Sequence, residues 1–395
     1  SFRAANRMQV LVVAPQPFYE ERGTPIAVRQ MCQTLVTLGH TVDLLTYHVG
    51  QDVDLPGITH IRIRSLGWIT SVPIGFSMKK IVCDLFVATK LRQLLRLKQY
   101  DVVHAVEEAV FPARWLTRNT STRVVYDMDS LLSDQLANAN RLFALGAPSL
   151  RAAENWAIRQ SDLVVAVCDA LADAALAQKQ ADRVFLLPDT PLETDQQPTE
   201  EQLRTYLAKD EALCLYVGNL ERYQGVQRLI EALPLLDSET RAHVLIIGGN
   251  DGDIADTRAL IDSLGCKHRV TLLGPRPVQQ LQSYLEQADI LLSPRLTGGN
   301  TPMKIYSYMA AGKPILATRI SSHTQVLDST SSELVNTDAA AMASGLTRLV
   351  HDDQLRSTLA ANAKQKVEAE YSLSRFKERL AAIYDRLAAL RVAGG

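Results

Sequence analysis

The chain has 395 residues, more than one ordinary hydrophobic core spans, so two domains are expected. Its 47% apolar, 22% charged and 6% aromatic content is that of a globular protein, and a net charge of −1 argues against a nucleic-acid partner. Five scattered cysteines without a CxxC pair, and eight scattered histidines, argue against a disulfide framework or a metal centre.

Taken in chain order, apolar β-rich runs alternate with helical stretches. MQVLVVAP reads as a strand, GTPIAVRQMCQTLVTLGH as a helix and TVDLLTYHV as a strand again. ITHIRIRSL, YDVVHAV, TRVVYDMD and SDLVVAVC follow as strands with helices between them. Near-continuous apolar strands separated by amphipathic helices indicate parallel sheets covered on both faces. PDTPLETDQQPTEEQ, rich in proline and charge, reads as a linker. The same grammar restarts at ALCLYVGNL and continues through AHVLIIGGN, RVTLLGP, ADILLSP and KPILATRI. The fold class is therefore α/β, two Rossmann-like doubly wound domains in tandem. Residues 1–195 form the first, 196–370 the second, and 371–395 a terminal amphipathic helix with Ser372 or Ser374 as its N-cap. Ligands in such folds bind beyond the carboxyl ends of the strands, so two such domains are expected to face each other across a cleft.

Several loops sit at those strand ends. Gly23-Thr24 opens the first helix, which suits either an anion or a tight turn. Gly218-Asn219 ends the first strand of the second half, and Gly225 precedes the next helix. In GGNTPMKIYSYMAAGKP, Gly298, Gly299 and Asn300 permit unusual backbone angles, Thr301 can cap, and Pro302 fits a first turn. Lys304 then lies where the helix dipole disfavours a cation: either it is solvated or an anion sits between. Arg295 adds a second cation. In DVVHAVEEAV, His104 and Glu107 stand at a strand end, where a carboxylate either orients a hydroxyl or simply answers the helix dipole. Asp127 and Asp129 end another strand; no third ligand accompanies them, so no metal is expected. Residues 62–98 carry eight cations against Asp84 alone, which fits either a solvated basic helix face or contact with an anionic membrane surface. No apolar run reaches the roughly 18 residues of a membrane span, and the start SFRAANRMQ is not a signal peptide, so a cytoplasmic location, possible also as a peripheral protein on the inner face of the plasma membrane, is expected.

Together these features resemble the family 4 (group 1) glycosyltransferases of the GT-B fold. The resemblance rests on the glycine turn after the first strand, DVVHA, YVGNL, ADILLSP, PMKIYSYMAAGKPILAT and the terminal YSLSRFKERLAAIYDRL, and it covers nearly the whole chain. It implies a retaining transferase using a nucleotide-diphospho-sugar, UDP- or GDP-linked, with no metal and no tightly bound cofactor. It places Gly23, Thr24, Gly218 and Gly299, Asn300, Thr301, Pro302 and Met303 along the donor. The residues themselves add Asn219, Arg222 and Ser307 to the donor side, offer Glu107, Lys304 and Arg295 for catalysis, and put His104, Asp127 and Asp129 on the acceptor side. The chain departs from the family pattern at four places. Asn219 and Gln224 stand where an arginine and a lysine usually clamp the diphosphate. Gly299 and Ser307 replace the two glutamates of E-x7-E, and Val106 replaces the second histidine of H-x-H. Arg295, Lys304 and Arg222 are the cations available to replace the lost charge. Two other readings share the architecture: a nucleotide-sugar epimerase, and a catalytically weakened partner or sensor protein.

Overall fold

The computed structural model describes residues 7–20, 23–73, 77–131, 147–192 and 197–393. The boundary expected near residue 195 lies outside the described residues. The chain divides into two compact units: residues 1–189 with 376–395, and residues 190–375.

The first unit is built on a seven-stranded sheet. Its strands are β1 (Gln9–Val13), β2 (Thr41–Thr46), β3 (Ile58–Arg62), β4 (Val102–Val106), β5 (Arg123–Met128), β6 (Leu163–Ala166) and β7 (Val184–Leu186), all parallel, in the order β3-β2-β1-β4-β5-β6-β7. Helices α1 (Gly23–Thr37), α2 (Met78–Leu97), α3 (Val110–Thr117), α4 (Ala147–Gln160) and α5 (Asp169–Leu176) connect them. Every residue of β4 and β6 is buried, as the unbroken apolar runs require of central strands in a covered parallel sheet. The order reverses between β1 and β4, the position at which such sheets open a crevice for a ligand.

The second unit repeats the plan with six strands in the order β10-β9-β8-β11-β12-β13. They are β8 (Ala212–Val217), β9 (Ala242–Ile247), β10 (Val270–Gly274), β11 (Ile290–Ser293), β12 (Ile315–Thr318) and β13 (Glu333–Val335). Its helices are α6 (Val226–Ala232), α7 (Asp251–Ser263), α8 (Leu281–Gln287), α9 (Met303–Ala310), α10 (Ser321–Thr324), α11 (Ala339–His351) and α12 (Asp353–Glu370). Period-two alternation splits the strand side chains between two cores. Cys214, Tyr216, Ile290 and Leu292 pack under α6, α7 and α11, while Leu213, Leu215 and Leu291 pack under α8, α9 and α12. The last helix, α13 (Leu373–Ala393), has its N-terminal turn capped by Ser372, whose Oγ accepts from the Arg375 amide at 3.4 Å; from Phe376 onward it belongs to the first unit.

Two edge strands, β7 and β13, are absent from the sequence reading. Each has only three residues, and none of β7 is fully buried, so neither makes an apolar run long enough to stand out. The run RLIEALPLL is shorter as a helix than its apolar spacing suggests, because Pro234 turns its end into a 3-10 segment.

Leu291 is fully buried in the central strand β11, between β8 and β12. Leu291→Ala is expected to cost about 2–5 kcal/mol, read as a lower urea midpoint with an unchanged slope.

Candidate active site

In the second unit, the carboxyl ends of β8, β9 and β11 come together with the amino end of α9. Their approach depends on glycine. Gly248, at φ +117°, packs so that a Cβ there would lie 2.0 Å from the carbonyl oxygen of Gly218. Gly298, at φ +148°, lets the loop before α9 wrap the Arg295 guanidinium; a Cβ would lie 2.3 Å from its Nη2. That loop is tied down by its carbonyls. Arg295 donates from Nε to Thr297 O at 2.8 Å and from Nη1 to Asn300 O at 3.1 Å, and Gln325 donates to Gly299 O at 2.9 Å.

Lys304 sits on the first turn of α9. Its ammonium lies over the Tyr216 ring, 4.1 Å from the centroid, and donates to Val217 O and Gln224 Oε1 at 3.3 Å each. Arg295 stacks on Tyr223 at 5.4 Å. Neither cation makes an ion pair among the described residues. Burial, reinforced by Arg295, lowers Lys304 from its ordinary 10.5 to about 7, and burial also lowers Arg295. Behind them His323, fully buried, has Nε2 2.9 Å from Ser293 Oγ and Nδ1 2.8 Å from Thr318 O. Burial pushes this imidazole down to about 4, so it is neutral. Thr318 Oγ1 donates to Arg295 O, so this web fixes the root of the arginine. His323 and the two tyrosines are absent from the sequence reading. The lone histidine in TRISSHTQ carries no spacing signal, and a ring beneath a cation is a purely tertiary contact.

Other expected donor residues fall differently. Pro302 precedes α9 and no side chain caps it; Thr301 does not cap, and its Oγ1 is buried without a partner. Met303 is the first residue of α9. Ser307 faces inward: only 4% exposed, its Oγ accepts from the Leu192 amide at 3.0 Å. Asn219 is exposed, with Oδ1 accepting from the Glu221 amide at 3.3 Å. Arg222 is exposed on a 3-10 turn.

The first unit presents the opposite charge. Glu107 follows β4 with φ +49°, a left-handed conformation that is costly for a side chain of this kind, and Ser130 Oγ donates to its Oε1 at 2.8 Å. Asp129 accepts from the Thr24 hydroxyl; burial, then Asp127, Glu107 and Asp189, drive its carboxyl well above the usual range. Asp189, which sequence reasoning passed over as linker, is pushed up to about 7 by burial and Asp127. Glu108, raised to about 7 by burial and then Glu107, lies 2.6 Å from Lys80. Gly23 and Thr24 do open α1, but the Thr24 hydroxyl is given to Asp129. His104 is corrected from a substrate contact to a core residue. It is fully buried, with Nδ1 3.1 Å from Tyr384 Oη on α13 and Nε2 3.2 Å from Asp127 Oδ2.

Chemically, the second unit brings together groups that can hold an anion: two cations, a buried Thr301 hydroxyl without a partner and the amino end of a helix. The Lys304 shift fixes a sign. Between about pH 7 and the ordinary 10.5 the folded chain binds fewer protons than the unfolded chain, so stability rises with pH through that window. Lys304→Met is expected to be more stable than the wild type at neutral pH, with the difference shrinking towards pH 10; urea titrations at several pH values check this.

A family model described as glycosyl transferases group 1 matches residues 199–366, and one described as a glycosyl transferase 4-like domain matches residues 22–190. An uncharacterised glycosyltransferase of Methanocaldococcus jannaschii is 23% identical over 389 residues, covering 92% of this chain and 94% of its own length. Sucrose-phosphate synthase from Thermosynechococcus elongatus superposes with a TM-score of 0.82 at 20% identity, covering 97% of this chain and all of that one. Anabaena HepE in complex with UDP-glucose gives 0.71 at 16% identity, covering 97% and 100%. With both units matched, the chain belongs to the group 1, family 4-like glycosyltransferases and has their GT-B fold.

Proposed function

We propose that the chain is a retaining transferase that moves a hexosyl group from a nucleotide-diphospho-sugar to an acceptor hydroxyl, without a metal. The observation that carries the reading is the pair of cations, Lys304 and Arg295, held at glycine-shaped strand ends with no ion pair among the described residues. Such a pair is poorly solvated until an anion arrives. A diphosphate meets both cations, the Thr301 hydroxyl and the α9 amides. As the glycosidic bond breaks, negative charge builds on this leaving group, and fixed cations and amides stabilise it more strongly than they stabilise the ground state. The cation is relocated: the Lys304 ammonium bonds the side chain of Gln224, the residue standing where relatives of the resembled pattern place a lysine.

Gly218, Gly299, Asn300 and Met303 border the proposed donor position through their backbone. Glu107, Asp127 and Asp129 are proposed on the acceptor side, a glycan, lipid or small molecule. There a carboxylate held by Ser130 orients the attacking hydroxyl. Because HepE was solved with UDP-glucose, uridine donors come first in order of test and guanosine donors second.

A melting panel of uridine, guanosine and adenosine diphosphates and their sugars tests the donor reading, since a ligand of the folded state raises Tm by mass action. The expected outcome is a rise with one base family, lost in Lys304→Ala and Arg295→Ala, with turnover down by about 10²-fold or more. Unchanged binding and turnover in both variants would reject the site. Turnover is expected to survive excess EDTA; loss restored by a divalent ion would reject the metal-free mechanism. Free nucleotide diphosphate is expected only when acceptor is present, whereas an epimerase would release none. Glu107→Gln is expected to lower turnover while leaving the donor-induced Tm rise intact.

A further inference from the structure

We infer that the first unit docks on an anionic lipid bilayer through the outer face of α2, residues 64–73 of the chain before it and α3. This contact stands independently of the transferase reading. It begins from an excess of exposed apolar surface. Trp68, Met78, Leu85, Leu97 and Trp115 are between 57% and 74% exposed, and all lie within this short part of the chain. They share one packed body. Leu66, Ile69 and Val72 of the loop join Cys83, Val87 and Leu91 of α2 and Ala113 of α3 in a single core, and Arg64 stacks on Phe86 of α2 at 4.7 Å.

Charge on this body is sorted. Arg62, Lys80 and Lys98 are neutralised by Asp52, Glu108 and Asp43 at 2.8, 2.6 and 2.8 Å, so they add nothing to an outer field. Arg64, Lys79, Lys90, Arg92 and Arg96 make no ion pair among the described residues. The one acid of α2, Asp84, accepts from the Tyr47 hydroxyl and is not available to balance them. Along α2, Met78, Leu85, Thr89, Arg92 and Arg96 are all exposed and recur at intervals of seven, four, three and four residues, so they form one outward stripe. The stripe is apolar at its amino half and cationic at its carboxyl half.

That combination identifies the occupant. Tryptophans and large aliphatic side chains beside unpaired arginines suit the boundary between headgroups and acyl chains. A second copy of the chain is disfavoured, because an isologous contact through α2 would oppose Arg92 and Arg96 with no carboxylate on the stripe to answer them. A bilayer bearing anionic headgroups answers both halves of the stripe at once. No described helix is long and apolar enough to cross a membrane, so the contact is interfacial.

The test is co-sedimentation of the full chain with vesicles of phosphatidylcholine alone and of phosphatidylcholine mixed equally with phosphatidylglycerol. Expected is binding to the mixed vesicles only, reversed by high salt, with a blue shift of tryptophan emission. Arg92→Gln/Arg96→Gln is expected to weaken partitioning by at least about tenfold, and Leu85→Ser to weaken it while keeping salt sensitivity. Absence of binding to the mixed vesicles at low salt, equal binding of the variants, or a chain that instead dimerises through this face in sedimentation would each overturn the inference. A cooperative melting transition of the same variants without ligand shows that they are folded, and uridine and guanosine diphosphate Tm shifts are measured beside it. They also separate failure of the lipid contact from failure of the donor site.

Discussion

The interaction on which the proposed chemistry depends is a single ammonium group placed among buried neighbours without a carboxylate. Lys304 lies on an aromatic ring, two neutral oxygens and little else. Burying a cation this way is unfavourable, and it lies where glycines let the chain close in: strand ends brought together through Gly218 and Gly248, and a loop closed on Arg295 through Gly298. No carboxylate pairs with the lysine among the described residues. Ser307 bonds the Leu192 amide, and Gly299 carries no side chain.

The two units divide the charges between them. The strand ends of the second carry cations with no ion pair among the described residues, while those of the first carry Glu107, Asp127, Asp129 and Asp189, two of them held protonated more readily than usual by burial and mutual repulsion. A leaving diphosphate and a hydroxyl that must lose a proton call for opposite environments. In the proposed transfer each sheet answers one of them from the same topological position, beyond the carboxyl ends of its parallel strands.

Much of this was legible in the sequence, and what escaped has identifiable reasons. The apolar runs at residues 9–13, 102–106, 212–217 and 290–293 announce buried parallel strands because every residue in them is apolar or small, apart from Gln9, His104 and Ser293. The three-residue edge strands make no such run. Lys304 and Arg295 were visible as cations beside a glycine loop, since both facts are local. Their lack of ion pairs was not, because it depends on where Gln224, Tyr216 and Tyr223 arrive in space. His104 misled for the complementary reason. A histidine at a strand end reads as a site residue, whereas Tyr384, 280 positions away, takes it into the core. The basic count over residues 62–98 overstated the field for the same reason: three of its partners lie outside the segment.

The central claim is that the Lys304 ammonium receives the donor diphosphate. Titration calorimetry of the nucleotide diphosphate that raises Tm most, run at about pH 8 in buffers of differing ionisation enthalpy, tests it most directly. A lysine lowered to about 7 is largely neutral there and must take up a proton when the anion binds. The account predicts a net uptake approaching one proton in the wild type and its disappearance in Lys304→Gln. Binding without proton uptake in the wild type, or the same uptake in the variant, would contradict it.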